Sequence, residues 1–364
     1  MQSNHKKRIC IVTRSLSEGG ADRVASLQSI LLNNLGYQVF IVTILNSVSY
    51  PYKGELFNLG AIKEKNDTIL GRFNRLLLLR KFLKSKKIDI VVDHRVRKKP
   101  FSEYIISALV YPKKTIYVVH NHAIDLYFPP FKWLTKLVYK KSKAIVSVSG
   151  KIQNLIFKKY GFRHLETIYN PVDLDYIDKQ KIESVTIESP YVFWYGRFED
   201  EQKNLSLLVD SYNDSKLKSQ GVKLVLMGNG KDKDKILSKV GELGLTDTIV
   251  VLPFSSNPFP YIFNSKFTVL SSRFEGFPMT VLESLACGIP VVSVRYDNYE
   301  DGVLKHKHNG VLVENHNSGA LAKGLNLLVG DEKLYLSCCE NARKSIESFS
   351  MEAIALQWKN LIEK

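Results

Sequence analysis

The chain has 364 residues and a mass of 41.5 kDa, a length typical of two domains, or of three. With 45% hydrophobic and 24% charged residues, it is an ordinary globular chain, which excludes collagen-like, low-complexity and wholly disordered classes. The net charge of +16 is uneven, since residues 1–180 carry +18 and residues 181–364 carry −2. This asymmetry indicates that the first half faces nucleic acid, an anionic membrane or a phosphorylated substrate, unless the charge only keeps the surface soluble.

The N-terminus and the cysteines predict a cytoplasmic protein. Arg14 ends a short apolar run, so no signal peptide is expected, and no run of 18 apolar residues predicts a membrane span. The four cysteines form no C-x-x-C pair and are predicted to be reduced thiols. They are Cys10, Cys287, Cys338 and Cys339.

In the first half, short runs rich in Val and Ile alternate with stretches of helical period. The predicted strands are 7–14, 37–45, 87–94, 114–121 and 142–149, and helices are predicted over 21–35 and 68–87. Such alternation predicts a parallel sheet with helices on both faces.

A polar linker at 170–190 separates this pattern from a second one. The second set of strands is predicted at 191–198, 222–230, 248–254, 267–272, 290–294 and 310–314. A terminal helix is predicted over 349–364, capped by Ser350, with buried positions at Ala353, Leu356, Trp358 and Leu361. The fold class is therefore α/β, with two Rossmann-like doubly wound domains facing a central cleft. Residues just after the strand ends should carry the chemistry.

Two such places lie in the first half. Gly19 and Gly20 follow the first strand and precede a helix whose N-terminal amides favour an anion, although a tight turn without ligand explains them equally well. His120 follows the fourth strand, where it could bind a hydroxyl or phosphate or serve as a structural histidine. A metal site would need more ligands than this, and His94 is too remote in sequence for a pair to be inferred.

Two further places lie in the second half. Arg197 and Lys203 could bind a diphosphate or belong to a solvated loop. Glu275 stands at the start of a helix that Gly288 ends, and Glu283 is placed about two turns inside it. The alternative is a charged surface helix, which explains neither the Gly-Phe-Pro loop nor the apolar flanks.

The run EGFPMTVLESLACGIPVV at 275–292 resembles the E-x7-E signature of glycosyltransferase family 4, whose members are retaining enzymes of the GT-B fold. The resemblance covers nearly the whole chain. It includes the Gly-Gly-Ala loop, the histidine after the fourth strand, YNPVD, GRxxxxKN, GNG, LPFSSNP and NGVLV.

The resemblance implies a role for each of these residues. Arg197 and Lys203 would hold the donor diphosphate, Glu275 the donor-sugar hydroxyls, and Glu283 the ribose. His120 would lie by the donor sugar, and Gly19 and Gly20 would face the phosphate. The remaining donor-binding positions are Gly228, Asn229, Gly230, Phe254, Gly276, Phe277, Pro278, Met279 and Thr280.

By the same resemblance, residues 1–170 bind the acceptor, the helix 349–364 packs back on them, and residues 171–348 bind the nucleotide sugar. Two positions depart from the family pattern. Pro253 stands where glycine is common, and the stretch 294–310 is unusual, so Glu300 is not assigned to the site.

Fixed cations and helix amides can stabilise a departing diphosphate, so we expect neither a metal nor a cofactor. Asp93 and His94, at another strand end, could serve the acceptor. The resemblance implies a donor linked to UDP, carrying a hexose or an N-acetylhexosamine. A polyanion-binding or nucleic-acid-binding protein and a nucleotide-sugar 2-epimerase of GT-B fold are the alternatives; the first leaves the E-x7-E block unexplained, so no nucleic acid is expected.

The basic first half is expected to dock on the inner face of the plasma membrane and to take a lipid-linked glycan acceptor from bacterial surface polysaccharide biosynthesis. Residues 70–87 mix Arg and Lys with Phe and Leu at helical spacing, and residues 125–143 place aromatics beside lysines. Both segments suit a bilayer interface, and both also fit ordinary helices that pack on the first sheet.

Overall fold

The computed structural model describes residues 6–17, 19–112, 114–296 and 302–364. The chain divides into two compact units. The first unit comprises Met1–Pro171 together with Met351–Lys364, and the second comprises Val172–Ser350. Residues 294–310 were noted as departing from the family pattern. The part of this stretch that contains Glu300 lies outside the described residues.

The first unit is built on a seven-stranded parallel sheet in the order β3-β2-β1-β4-β5-β6-β7. The strands are β1 (Arg8–Thr13), β2 (Gln38–Thr43), β3 (Glu55–Asn58), β4 (Ile90–Asp93), β5 (Thr115–Val119), β6 (Ala144–Ser147) and β7 (Leu165–Thr167). Its first helices are α1 (Gly20–Asn34), α2 (Leu59–Lys65), α3 (Ile69–Ser85), α4 (Pro100–Ile105), α5 (Lys132–Tyr139) and α6 (Gly150–Tyr160). One turn of π-helix, Ile106–Val110, continues α4.

The five predicted strands of this unit are confirmed, and the sheet has two more at its edges. Strands β1 and β4 are central and almost wholly buried, so their apolar runs are continuous. The edge strands β3 and β7 are half-buried or exposed. Their short, mixed sequences therefore lack the buried apolar run from which the other strands were predicted.

The second unit is built on a six-stranded parallel sheet in the order β10-β9-β8-β11-β12-β13. Its strands are β8 (Tyr191–Tyr195), β9 (Lys223–Met227), β10 (Ile249–Leu252), β11 (Thr268–Leu270), β12 (Val291–Val294) and β13 (Gly310–Val313). Its helices are α7 (Leu174–Gln180), α8 (Asp200–Lys203), α9 (Leu205–Asp214), α10 (Lys233–Glu242), α11 (Phe259–Phe263), α12 (Met279–Ala286), α13 (Ser318–Gly330) and α14 (Glu332–Ala342). All six predicted strands are present, and the two doubly wound sheets confirm the predicted fold class.

The terminal helix α15 (Met351–Glu363) belongs to the first unit, where it contacts α1. Trp358 and Leu361 are buried as expected, but Leu356 is 60% exposed and its predicted burial is wrong. The buried stripe instead uses Ile354 and Ile362, because these lie four residues to either side of Trp358 on one helix face. Side-chain hydrogen bonds also fix the helix, since Glu363 accepts from Lys7 and Tyr37.

All four cysteines are free thiols, and three of them are buried. No helix in the described ranges combines the length and the apolar character needed to cross a bilayer.

Candidate functional site

In the second unit, the loops that follow β8 and β9 are bound to one another. The amide of Gly196 donates to the carbonyl of Met227 at 3.0 Å, and the amide of Phe198 donates to the carbonyl of Asn229 at 2.8 Å. A Cβ at Gly228 would lie 1.9 Å from the Gly196 carbonyl oxygen, and one at Gly230 would lie 2.4 Å from that of Phe198. These glycines are therefore required by the close approach of two backbones, in addition to any contact with a nucleotide.

An ion pair joins two predicted site residues that are far apart in the sequence. The Lys203 Nζ lies 2.7 Å from Glu275 Oε1, and the two side chains are only 14% and 9% exposed. Lys203 ends α8, and Glu275 follows β11. The Ser271 hydroxyl donates to the Lys203 carbonyl at 2.8 Å, which fixes the end of α8 against the end of β11. A cation and a carboxylate thus stand together at the carboxyl edge of the sheet, where ligands bind in such folds.

Arg197 lies in the loop between β8 and α8, with its guanidinium held by other groups. It donates to Glu199 Oε1 at 2.9 Å and to Gln202 Oε1 at 3.5 Å, and its side chain is 37% exposed. This half-exposed guanidinium keeps donors for an incoming anion, because an Arg carries five N–H groups.

Glu283 is buried and bound by a residue that the sequence analysis missed. The Tyr195 hydroxyl donates to Glu283 Oε2 at 2.6 Å. Glu283 is the fifth residue of α12, so it stands just over one turn inside the helix, and the predicted depth of two turns is wrong. Tyr195 could have been found, because it is the last residue of β8, at the edge where chemistry was expected.

Thr280 in the first turn of α12 and Ser272 just after β11 both carry buried hydroxyls. Pro278 lacks an N–H, so among the predicted donor-binding positions Gly276 to Thr280 it alone has no backbone amide to offer an anion. Within the described part of the chain, Ser272 Oγ and Thr280 Oγ1 are buried without a hydrogen-bond partner. Ser272 was not among the predicted site residues, since nothing in its sequence context marks it.

Three other predicted positions of this unit lie on or near its helices and strands. Met279 begins α12 and is buried, whereas Phe277 packs its ring 5.2 Å from that of Phe349. Phe254 is half-buried and follows β10 by two residues.

In the first unit, Gly19 and Gly20 begin α1 beside a buried carboxylate. Gly19 is the N-cap residue and has no side chain to cap the helix. Asp22 accepts hydrogen bonds from Thr13 Oγ1 at 3.0 Å and from Ser15 Oγ at 2.7 Å. Burial raises the pKa of Asp22, while these hydrogen bonds oppose the shift. The loop after β1 is thereby tied to the first turn of α1.

His120 is paired with His94, a contact that could not be inferred from their separation in the sequence. They follow the adjacent strands β5 and β4, and His94 Nδ1 lies 2.8 Å from His120 Nε2. His94 Nε2 in turn lies 2.6 Å from Gln28 Oε1 on α1. Burial lowers the pKa of His94 to about 3, and burial together with the neighbouring His94 and Arg97 lowers that of His120. Both rings are therefore neutral at physiological pH.

Asp93 cannot serve an acceptor as expected. Its side chain is fully buried, Arg95 Nη2 donates to it at 2.8 Å, and the Tyr111 hydroxyl donates to it at 3.1 Å. Both carboxylate oxygens are occupied by this network, so Asp93 is a structural anion. No cluster of three or more His, Cys, Asp or Glu side chains suited to a metal occurs among the residues that the structure describes.

Two family models match adjacent parts of the chain. The model of Glycosyltransferase Family 4 matches residues 18–176, and that of Glycosyl transferases group 1 matches residues 177–345. Together they span most of both units.

Two curated relatives come from Campylobacter jejuni. N-acetylgalactosamine-N,N'-diacetylbacillosaminyl-diphospho-undecaprenol 4-alpha-N-acetylgalactosaminyltransferase is 29% identical, over 96% of this chain and 97% of its own. An alpha-1,4-N-acetyl-D-galactosaminyltransferase, named for a GalNAc-alpha-(1->4)-GalNAc-alpha-(1->3)-diNAcBac-PP-undecaprenol substrate, is 25% identical over 98% of both chains.

The fold is similar to that of solved glycosyltransferases. Staphylococcus aureus TarM, crystallised as a variant with UDP, superimposes with a TM-score of 0.78 at 15% identity, over 98% of this chain and 100% of its own. Anabaena HepE, crystallised with UDP-glucose, superimposes with a TM-score of 0.77 at 16% identity, over 98% of this chain and 99% of its own.

Proposed function

Because the chain belongs to glycosyltransferase family 4 and is a glycosyltransferase of GT-B fold, we propose which sugar and which acceptor it joins. It transfers a hexose or an N-acetylhexosamine from a UDP-linked donor, with retention of configuration, to a lipid-linked glycan of bacterial surface polysaccharide biosynthesis. The relatives support this proposal, because two are named for undecaprenol-linked acceptors and for N-acetylgalactosaminyl transfer. The second unit binds the nucleotide sugar, and the first binds the acceptor.

The observation that carries the proposal is the Lys203–Glu275 pair, 2.7 Å apart at the carboxyl edge of the second sheet. A cation there neutralises the negative charge that develops on a leaving diphosphate. A carboxylate there accepts hydrogen bonds from sugar hydroxyls. One pair therefore serves both halves of a nucleotide sugar.

The departing diphosphate is held by Lys203, Arg197 and the N-terminus of α12. A phosphate oxygen of the leaving group takes the proton of the attacking hydroxyl on the same face of the sugar, so no separate general base is required. The bond from the anomeric carbon to the phosphate oxygen breaks, and the bond to the acceptor oxygen forms. Glu283, held by Tyr195, binds the ribose diol.

Transfer is tested with purified protein, a synthetic polyprenyl-diphosphate glycan and a panel of UDP-hexoses and UDP-N-acetylhexosamines. We expect one donor to increase the acceptor mass by one sugar residue, and the product to show the donor's anomeric configuration by NMR. A donor converted to its 2-epimer without transfer would support the epimerase instead. Binding of polyanions with no transfer from any donor would contradict the proposal.

The first unit also carries a surface that suits an anionic membrane, which we call the α3–α5 surface. It comprises α3, α4 with its π-helical turn, and α5; α4 contacts α5, and the π-helical turn contacts α3. Large apolar side chains project from all these elements into solvent. They include Ile69, Leu70, Phe73, Phe101, Leu109, Trp133 and Leu137, each at least half exposed.

Basic side chains surround these apolar groups. Lys132, Lys136 and Lys140 are exposed on and just after α5, beside Trp133. Each basic residue near an anionic leaflet contributes about 1 kcal/mol before screening, and exposed aromatic rings suit the bilayer interface. We infer that the α3–α5 surface holds the enzyme on the inner face of the plasma membrane.

Sedimentation with liposomes tests this inference. We expect binding to anionic vesicles that weakens with salt and falls when Lys132, Lys136 and Lys140 are replaced together by Gln. The triple replacement of Lys84, Lys86 and Lys87 should have a smaller effect, because Lys86 is already paired with Glu55.

A control variant loses the same charge from the second unit, through Lys216, Lys218 and Lys323, and should bind as the unmodified protein does. Equal binding to neutral and anionic vesicles, or none to either, would contradict the membrane proposal and leave the transferase proposal standing.

A further inference from the structure

Three side chains from three elements form a buried chain that ends at His120. Gln28 comes from α1, His94 from the residue after β4, and His120 from the residue after β5. Gln28 is 1% exposed and His94 is 3% exposed. The two imidazole rings lie at 26° with their centroids 5.0 Å apart. Gln28 is not among the predicted site residues, and His94, which the sequence suggested for the acceptor, is buried, so their link to His120 needs an explanation.

With Gln28 Oε1 facing His94, the partner of each ring nitrogen assigns the protons. An amide oxygen only accepts, so the contact of 2.6 Å between Gln28 Oε1 and His94 Nε2 requires the proton on His94 Nε2. In this orientation of the amide, Gln28 Nε2 is buried without a hydrogen-bond partner among the described residues. A neutral imidazole has one N–H, so His94 Nδ1 must accept.

The same reasoning passes to the second ring. His94 Nδ1 lies 2.8 Å from His120 Nε2, and one of two nitrogens in contact must carry the proton. Because His94 Nδ1 accepts, His120 Nε2 donates. Neutral His120 then has an unprotonated Nδ1. Among the described residues, that atom has no hydrogen-bond partner, and the side chain is half-buried.

We propose that Gln28, acting through His94, is a positioning residue that holds His120 as its Nε2–H tautomer, so that Nδ1 accepts a hydrogen bond from a sugar hydroxyl. The identity of the sugar ligand rests on the proposed function, whereas the tautomer does not. If both hydrogen bonds ran in the opposite direction, His120 Nδ1 would carry the proton and donate. A sugar hydroxyl could then bind it only as an acceptor. The orientation of the Gln28 amide thus determines whether a sugar hydroxyl donates to His120 Nδ1 or accepts from it.

The test is NMR of the full-length protein labelled with 15N-histidine, using correlations that distinguish Nδ1–H from Nε2–H tautomers. The variants His94→Gln and His120→Gln assign the two rings. We expect both to be Nε2–H. Replacement of Gln28 by Met should abolish the fixed pattern at both rings and lower kcat/KM for transfer about tenfold, the effect of one hydrogen bond.

Two further variants separate positioning from damage to the fold. In Gln28→Glu an ionised carboxylate can only accept, so this variant should keep both tautomers and restore most of the transfer. Ser29→Ala removes another buried hydrogen bond of α1, from Ser29 Oγ to the Ser26 carbonyl, and should change neither the tautomers nor kcat/KM by more than twofold.

An Nδ1–H tautomer in either ring of the unmodified protein would overturn the proposal. So would an unchanged tautomer pattern in Gln28→Met, even with reduced activity, because the loss would then be structural. If the tautomers are as expected and no sugar donor is turned over, the proposed function fails while the positioning of His120 stands.

Discussion

The Lys203–Glu275 pair yields a prediction at the scale of single residues. Glu275→Gln should nearly abolish transfer, because the amide cannot match a carboxylate as an acceptor of sugar hydroxyl bonds. The loss of one partner from a nearly buried pair should also cost about 1–3 kcal/mol of the free energy of unfolding. Transfer assays and urea unfolding measure the two effects. Glu242→Gln, an exposed substitution in the same unit, should change neither.

The two cations of the site should behave alike in kinetics. Lys203→Ala and Arg197→Ala are each expected to lower kcat/KM tenfold or more, which is about 1.4 kcal/mol of transition-state stabilisation. Only Lys203→Ala should also reduce stability measurably, since Arg197 is 37% exposed and its partner Glu199 is similarly open. Unchanged kcat/KM in both variants would mean that the diphosphate binds elsewhere.

His94 should make the protein less stable in acid. Its pKa is about 3 in the folded chain, against 6.5 for an unperturbed histidine, mainly because burial disfavours the charged ring. The unfolded chain therefore binds a proton that the folded chain does not, and stability falls as the pH drops below about 6.5. Between pH 7.5 and 5, this group should remove about 2 kcal/mol.

Urea unfolding of the unmodified protein and of His94→Gln at both pH values isolates this effect. The neighbours that bear on the ring are His120, Gln28 and Arg97. The variant is expected to lose about 2 kcal/mol less than the unmodified protein on acidification. Identical losses would show that His94 does not titrate with unfolding.

At the scale of elements, the two glycine loops after β8 and β9 predict a contrast between glycines. Gly228→Ala places a methyl 1.9 Å from the Gly196 carbonyl oxygen, so the loops must separate. We expect a fall in Tm of several degrees and loss of the Tm increase that UDP produces. Gly221 also has a positive φ, but a Cβ there would meet nothing within 4 Å, so Gly221→Ala should cost only about 1 kcal/mol and keep the UDP response. A normal UDP response in Gly228→Ala would separate these loops from nucleotide binding.

The helices and strands also show which features of the fold could be predicted from the sequence. Central strands such as β1 and β9 were predicted because burial on both faces leaves a continuous apolar run. The helix α7 was missed, since its polar sequence buries only Ile177. The pairs Lys203–Glu275 and His94–His120 depend on which strands are neighbours and in what register. That information is absent from spacing along the chain.

At the scale of the whole molecule, the terminal helix α15 packs in the first unit. The 179 residues of the second unit, Val172–Ser350, separate it in sequence from the rest of that unit. Trp358 is 4% exposed, and Trp358→Ala should cost about 3–5 kcal/mol. Calorimetric unfolding should show that the lost stability belongs to the transition of the first unit. The increase in Tm expected from the proposed binding of UDP to the second unit should remain, and its disappearance would contradict the division of the chain into two units.

The position of α15 reverses the order of events during synthesis. Domains generally fold as they leave the ribosome, the N-terminal one first. Here residues 172–350 are contiguous and complete once Ser350 has emerged, whereas the first unit still lacks Ile354, Trp358, Leu361 and Ile362. A chain truncated after Ser350 therefore contains all of the second unit but lacks α15 of the first. The unit that is translated first is therefore the last to close its core, because the apolar surface that α15 covers stays exposed until that helix has been synthesised.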